Sequence, residues 1–324
     1  MGDGTSVREV AGAMPEVIAI LGPTASGKSR LAVELARRLS GEGRPAEIVN
    51  ADSMLVYRGM DIGTAKPDAG ELERVRHHLV DILEVTQSSS IALVQNLARR
   101  AIEDCLARGV VPLVVGGSAL YSRAVLEELE IPPTDPSIRA RLEDELEQLG
   151  SEHMHRRLAE LDPAAAAAIL PGNGRRIVRA LEVIELTGSF SARMPQGRFH
   201  YPGTLEIGLT MSREDLDSRI EQRVDLMWRL GLVAEVRGLV DHGLREGRTA
   251  SRALGYRQVM SMLDGRIDER QARLDTVVRT RRFARKQLMW YRRDPRIRWF
   301  EALDGCLAEK VLAALADVDR DGRP

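Results

Sequence analysis

The sequence has 324 residues, enough for one large domain or two smaller ones. A hydrophobic fraction of 44% supports a real core and excludes disorder as the overall state. The formal net charge of −1 offers no global attraction to a polyanion, so a nucleic-acid partner would need locally concentrated base.

Residues 1–15 carry Asp3, Arg8 and Glu9 without an apolar stretch and read as a loose tail, neither signal peptide nor anchor. Val17-Ile18-Ala19-Ile20-Leu21 is a short apolar run, expected as a buried strand. It runs into Gly22-Pro23-Thr24-Ala25-Ser26-Gly27-Lys28-Ser29, which fits G-x-x-x-x-G-K-S/T, the phosphate-binding loop. Leu31, Leu35 and Leu39 then recur at helical spacing. Strand, glycine-rich turn and helix form the context this motif needs, and a chance glycine-rich turn would lack both flanks. The turn points backbone N–H groups inward and the helix N-terminus adds partial positive charge. Lys28 adds a full charge, and Ser29 offers a hydroxyl to a magnesium ion. A bound di- or triphosphate is expected.

A second strand, Glu47 to Asp52, ends in a carboxylate, and a loop-rich excursion follows to Pro67. His77 to Ile82 reads as a short strand. Adjacent histidines on a strand point opposite ways, so a structural role is expected for both. Ser88 to Ser90 start a helix from Ile91 to about Ala107, closed by Gly109. Val110 to Val115 is the next strand, followed by Gly116-Gly117-Ser118 and a further helix. This alternation argues an α/β fold: a parallel sheet with helices on both faces and ligands at the carboxyl ends of the strands. Cys105 and Cys306 have no neighbours at metal-ligand spacing and read as reduced, buried thiols of a cytosolic protein.

Near residue 129 the character changes. Asp135-Pro136 and Asp162-Pro163 each start a helix, Pro171 to Gly174 break the chain, and Arg175 to Thr187 is helical again. The block is read as an all-helical insertion, 129–202, within a core of 16–128 and 203–324. A strand returns at Leu205 to Thr210, and Ser212 with Asp215 caps a helix bearing Leu216, Ile220, Val224 and Met227 on one face. The remainder is expected to be helical. Its most basic part, Arg279 to Arg298, interleaves Trp290, Tyr291 and Trp299 with arginines. Arginine with aromatics suits single-stranded RNA, and a solvated helix face with Trp290 in the core is the alternative.

Many phosphate-loop enzymes place an Asp after a strand to organise magnesium and water. Here the strand ending in Gly116-Gly117 lacks one, whereas Asp52 follows a strand beside the loop. That favours group transfer to a bound acceptor: Lys28 and the loop amides would stabilise a departing diphosphate, Thr24 would bond its bridging oxygen, and Asp52 would take the nucleophile's proton. A small-molecule or nucleotide kinase is the first rival, and a non-catalytic RNA-binding module with a nucleotide-sensing loop the second.

Taken together, these pieces resemble the tRNA dimethylallyltransferases (tRNA isopentenyltransferases). The matches are the phosphate loop, Asp52-Ser53, Tyr57 to Pro67, His77-His78-Leu79, Val115 to Ser118 with Leu120-Tyr121, Arg179-Ala180-Leu181-Glu182, Gly255-Tyr256-Arg257-Gln258 and Lys286-Gln287, in family order. The resemblance implies a magnesium-dependent, monomeric, cytoplasmic enzyme. It would move a dimethylallyl group from dimethylallyl diphosphate to N6 of the adenosine 3′ of the anticodon, position 37, in tRNAs reading codons that begin with U. By the same resemblance Asp52, Thr24 and Lys28 would be catalytic. The tRNA would meet Asp52, Ser53, Met54, Leu55, Ser118, Arg139, Arg175, Arg176, Arg179, Gly255, Tyr256, Arg257, Arg285, Lys286 and Gln287, and the insertion would grip the anticodon stem-loop. Ser29 and Ser118 stand where Thr is common, and Gly172-Asn173-Gly174 where Asn-Asp-Pro is usual. The Cys/His pairs of the family's eukaryotic zinc-finger extension do not occur in the sequence.

Overall fold

The computed structural model describes residues 15–191 and 197–317. All but Pro15 of the expected tail, and 192–196 of the segment leaving the insertion, lie outside the described residues. Two compact units divide the chain: one continues to Glu128 and resumes at Phe199, and the other is Leu129–Arg198.

The first unit is built on a parallel sheet of β1 (Val17–Leu21), β2 (Ala46–Asn50), β3 (His77–His78), β4 (Val111–Gly116), β5 (Thr204–Thr210) and β6 (Arg298–Glu301), in the order β3-β2-β4-β1-β5-β6. Helices α1 (Lys28–Gly41), α2 (Ala69–Arg74), α3 (Ile91–Ala107) and α4 (Ala119–Leu126) follow strands in turn. Strand alternation sorts β1 between two cores: Ile18 and Ile20 join Leu31, Leu35 and Leu39 of α1, while Val17, Ala19 and Leu21 join Val94, Ala98 and Ile102 of α3. A strand covered on both faces is apolar throughout, as β1 is. Its carboxyl end therefore opens at the middle of the sheet.

Two of the strand expectations need correction. His77 to Ile82 is not a strand beyond His78, because Leu79 (φ 61°) and Asp81 (φ 55°) turn the backbone left-handed. Arg298–Glu301, expected as helical, is an edge strand paired with β5. Asp294-Pro295 ends the preceding helix, and a four-residue, half-exposed strand shows little alternation.

The second unit holds α5 (Pro136–Leu149), α6 (Ser151–Leu161), α7 (Pro163–Ala168) and α8 (Gly174–Thr187). Asp135 accepts from the Ser137 and Ile138 amides at 2.8 and 3.1 Å, and Asp162 from the Ala165 amide at 2.8 Å, so both Asp-Pro starts are true caps. Its core gathers Leu142, Met154, Leu158, Ile177 and Leu181. Within it lies Glu182, fully buried, accepting from Arg179 at 2.7 Å and from Arg139.

After β5 come α9 (Arg213–Arg229), α10 (Leu232–Asp241), α11 (Tyr256–Leu263), α12 (Glu269–Tyr291) and, beyond β6, α13 (Leu307–Asp317). Among the described residues no helix is long and apolar enough to cross a membrane.

On β5, Glu206 is only 4% exposed and its Oε2 has no hydrogen-bond partner. Burial, reinforced by Asp294, pushes its carboxyl up to about 8. The unfolded chain ionises near the ordinary 4.5, so this group costs stability progressively as pH rises from 4.5 to about 8. Glu206→Gln should therefore gain stability over the wild type across that window, reaching on the order of a few kcal/mol and then levelling off. Urea melts at half-unit pH steps would measure it, and a pH-independent difference would contradict the assignment.

Candidate active site

The phosphate loop leaves β1 at Gly22, where an added methyl would lie 2.9 Å from the Leu209 carbonyl of β5. Only glycine lets the loop approach the strand this closely. Lys28 at the head of α1 curls back, its Nζ donating to the Pro23 carbonyl at 2.7 Å. The surrounding protein strips water from the ammonium and lowers it to about 8, a fall that Asp52 opposes and Arg223 reinforces.

Asp52 lies just past β2. Its amide donates to Asn50 Oδ1 at 2.9 Å, and its Oδ1 accepts from the Met54 amide at 2.8 Å. Asn50 in turn donates to the Asp52 and Leu79 carbonyls. One carboxylate oxygen is thus fixed, and Oδ2 faces the site. A methyl built on Gly117 would sit 3.8 Å from both Asp52 Oδ2 and Lys28 Nζ, so the ends of β2, β4 and the phosphate loop converge.

Two cavities meet here. The first, about 590 Å3, is lined by Lys28, Ser29, Asp52, Gly117 and a row of arginines, Arg219, Arg223 and Arg229. The second, about 640 Å3, has a wall of Ile220, Val224 and Met227 and a basic rim of Arg252, Arg279, Arg282 and Lys286. Thr24, Asp52, Thr64, Arg223 and Phe283 belong to both. A cation-lined cavity and a half-apolar, base-rimmed one therefore share one threshold, with a carboxylate and a guanidinium on it.

Arg223 is the residue that sequence reasoning missed. Its Nη1 donates to Thr24 Oγ1 and its Nη2 to the Thr64 carbonyl, both at 3.1 Å. Burial lowers the guanidinium and Asp52 raises it. Arg219, one turn earlier, donates to the Ala25 carbonyl at 2.9 Å. Arg219, Gln222, Arg223, Leu226 and Arg229 recur at helical spacing, a legible face, but in the sequence it looks like any solvated arginine face.

The residues expected to meet tRNA fall into distinct sets. Asp52, Ser53, Met54, Ser118, Tyr256 and Lys286 line the second cavity, and Asp52, Leu55 and Gln287 the first. Arg257 is exposed on α11, and Arg285 stands 3.8 Å from Asp217. Several of these residues are also engaged within the protein. Gln287 is buried, accepting from the Thr24 amide at 2.9 Å and donating to the Gly117 carbonyl at 2.6 Å, so it braces the phosphate loop against β4. Tyr256 is fully buried with its hydroxyl on Glu235, and Gly255 is a buried helix cap whose amide donates to Gln258. In the helical unit, Arg139 and Arg179 are paired with Glu182 yet partly exposed, and Arg179 also donates to the Pro132 and Pro133 carbonyls, while Arg175 and Arg176 are exposed.

Part of the basic tract is likewise structural. Arg281 donates to Glu221 at 2.7 Å, and Arg296 binds Asp294 and Glu127. Trp290 is 51% exposed with Arg293 stacked over it, so it is not in the core. Of the two cysteines, Cys306 differs from expectation in being exposed, whereas Cys105 is a buried free thiol, 3.5 Å from Glu47 and 3.8 Å from His78 Nε2. Arg108 grips both oxygens of Glu47 at 2.7 and 2.8 Å, which closes that group as a hydrogen-bonded cluster already supplied with a cation.

The oxygens around Ser29 and Asp52 suit a hard divalent cation.

Residues 55–294 match a family described as IPP transferase. The chain is 60% identical over 309 residues to a tRNA dimethylallyltransferase of Cutibacterium acnes, across 94% of this chain and 97% of that protein. It is 57% identical over 305 residues to the protein of the same name from Kineococcus radiotolerans, across 92% and 96%. Among solved structures, a tRNA isopentenylpyrophosphate transferase from Bacillus halodurans superposes with a TM-score of 0.68 at 38% identity, across 94% of this chain and 98% of that one. A eukaryotic dimethylallyltransferase acting on tRNA shares the fold, with a TM-score of 0.79 at 24% identity across 95% and 80%. Identity at this level over nearly the whole of both chains, on a phosphate-loop core with these two joined cavities, places the chain in the IPP transferase family.

Proposed function

We infer that the protein transfers a dimethylallyl group from dimethylallyl diphosphate to the N6 amine of a tRNA adenosine, the one at position 37 beside the anticodon of tRNAs reading codons that begin with U. The observation that carries this reading is the shared threshold: Asp52, Thr24 and Arg223 lie where a diphosphate cavity opens into a base-sized one. The relatives bear the name of this activity. Phosphoryl transfer, the kinase alternative, is not favoured by them.

The diphosphate takes the first cavity, against Lys28 and the phosphate-loop amides. Arg223 and Thr24 face its bridging oxygen. The flipped adenine enters the second cavity, whose basic rim receives the flanking phosphates; flipping costs about a few kcal/mol and is cheapest in a loop. As the N6–C bond forms, the C–O bond to diphosphate breaks and its electron pair stays on the departing oxygen. Asp52 Oδ2 takes the N6 proton. Magnesium, held through Ser29 and the diphosphate oxygens, would neutralise charge on the leaving group. Lys28, Arg223 and the loop amides supply the fixed part of that stabilisation, where pre-aimed donors act most strongly. Arg139, Arg175, Arg176, Arg179, Arg257 and Arg285 are candidates for tRNA backbone contacts, with the helical unit gripping the anticodon stem-loop of a monomeric cytoplasmic enzyme.

Incubation with magnesium, dimethylallyl diphosphate and unmodified tRNA, followed by mass spectrometry of the digested nucleosides, tests the reading. One dimethylallyl unit added to adenosine is expected, and ATP-dependent phosphorylation without prenylation would replace it with a kinase. Asp52→Asn should lower kcat by about 10²- to 10⁴-fold. tRNA affinity in gel shifts should hold, and unchanged turnover would remove Asp52 as the base.

Lys28 gives a pH test. Its ammonium is the form that binds a diphosphate, and it is lost as pH rises through about 8 in the free protein. Pyrophosphate affinity should fall above pH 8, and calorimetry in buffers of different ionisation enthalpy should show proton uptake there. Absence of both would mean that the ammonium is not a ligand.

A further inference from the structure

Thr64 lines both cavities and Gly63 the second, and the turn Asp61-Ile62-Gly63-Thr64 that carries them is gripped from two sides. At its amide end, the carboxylate of Glu235 on α10 accepts from three successive N–H groups. These are Asp61 at 3.2 Å, Ile62 at 2.7 Å and Gly63 at 3.3 Å. The same carboxylate accepts the Tyr256 hydroxyl at 2.5 Å. At its carbonyl end, Thr64 O accepts from Arg223 Nη2 at 3.1 Å. A negative group thus sits on the turn's amides and a positive one on its carbonyl, each matching the local dipole.

The turn is seated tightly. A methyl on Gly63 would fall 2.3 Å from the Tyr256 ring, so the backbone lies directly on that ring. Thr64 Oγ1 closes it internally on the Met60 carbonyl at 2.6 Å. Glu235 and Arg223 come from consecutive helices, α10 and α9, and the turn joins them through its amides and its carbonyl.

We propose that Glu235 is a positioning residue for the transfer reaction, holding the 61–64 turn so that the Thr64 carbonyl orients the Arg223 guanidinium toward Thr24 and the diphosphate. The inference rests on the functional reading above. A guanidinium held by two neutral oxygens has no ion pair to fix its direction. One of those oxygens, Thr24 Oγ1, belongs to the substrate-contacting loop. The other, Thr64 O, is therefore the anchor that sets its aim, and Glu235 sets the place of Thr64. Gln in place of Glu235 would turn an N–H2 group toward the donors of one of its two oxygens, breaking half of the grip without changing volume.

The test is a mutant cycle on the full chain, read by calorimetric titration with magnesium pyrophosphate and by prenyl transfer to tRNA. E235Q should weaken pyrophosphate binding and lower kcat by about 10- to 100-fold, the scale of a small misplacement of a catalytic group, with KM for tRNA unchanged. In an R223A background, E235Q should weaken pyrophosphate binding by less than about twofold further, because the residue it aims is gone. Y256F, which removes one hydrogen bond and no charge, should weaken pyrophosphate binding by about two- to fivefold, again only when Arg223 is present. An E235Q loss of equal size with and without Arg223 would show a general structural role and overturn the proposal, as would wild-type binding and turnover in E235Q. A wild-type protein that binds pyrophosphate but prenylates no tRNA would refute the functional reading while leaving the binding cycle to decide the role of Glu235.

Discussion

Two half-buried cations, Lys28 and Arg223, look to one carboxylate, Asp52. Positive charge taken from water is costly unless paired, and here the pairing is incomplete. The hydrogen bonds of both cations go to neutral oxygens of Pro23, Thr24 and Thr64. The imbalance is of the kind that a bound diphosphate would relieve. Much of the surrounding architecture serves to keep these charges in place without neutralising them: Gln287 and Arg219 brace the phosphate loop through backbone atoms, and Asn50 fixes Asp52 through its own backbone.

Helix α12 shows how one element can serve core and surface. Gln287 and Tyr291, one turn apart, face inward; Tyr291 reaches Ser122 at 3.1 Å and the Gly116 carbonyl, and Gln287 reaches Thr24 and Gly117. Arg279, Arg282 and Lys286 face the second cavity from the same helix. The basic tract is thus divided: some of its arginines are paired with the acids of α9 or with Glu127, and others rim the opening. Net charge near zero is compatible with a polyanion site because the sign is sorted by face, not by composition.

What could be read from the sequence was what is local in the chain. β1, the phosphate loop and α1 are continuous, and their apolar period and glycines state their geometry outright. The caps at Asp135, Asp162 and Ser212 were equally plain, since a cap and its amide are two or three residues apart. Asp52 was found by its place after a strand. What depended on distant pairing was hidden. Gln287 meets Thr24 across 263 positions, and Arg223 meets it across 199. Arg139 and Arg179 both pair with Glu182, which is buried between them, across 43 and 3 positions. A buried charge on a helix cannot be told from an exposed one by spacing alone when its partner lies on another element. Strand β6 was missed for a different reason: at the sheet edge one side of the ladder is open, and a strand of four residues carries too little pattern to register.

The order of strands in the sheet has a temporal consequence. β1 is flanked by β4 and β5, yet the whole helical unit is interposed in the chain between these two neighbours. On a ribosome, β1 through β4 can associate early, but the wall of the anion cavity supplied by α9 and the brace supplied by α12 emerge only after the insertion has been synthesised. Contacts of such long sequence separation close slowly and late. The nascent chain therefore carries an unfinished phosphate loop through most of its translation, and the two cations come together only after α9 has been made.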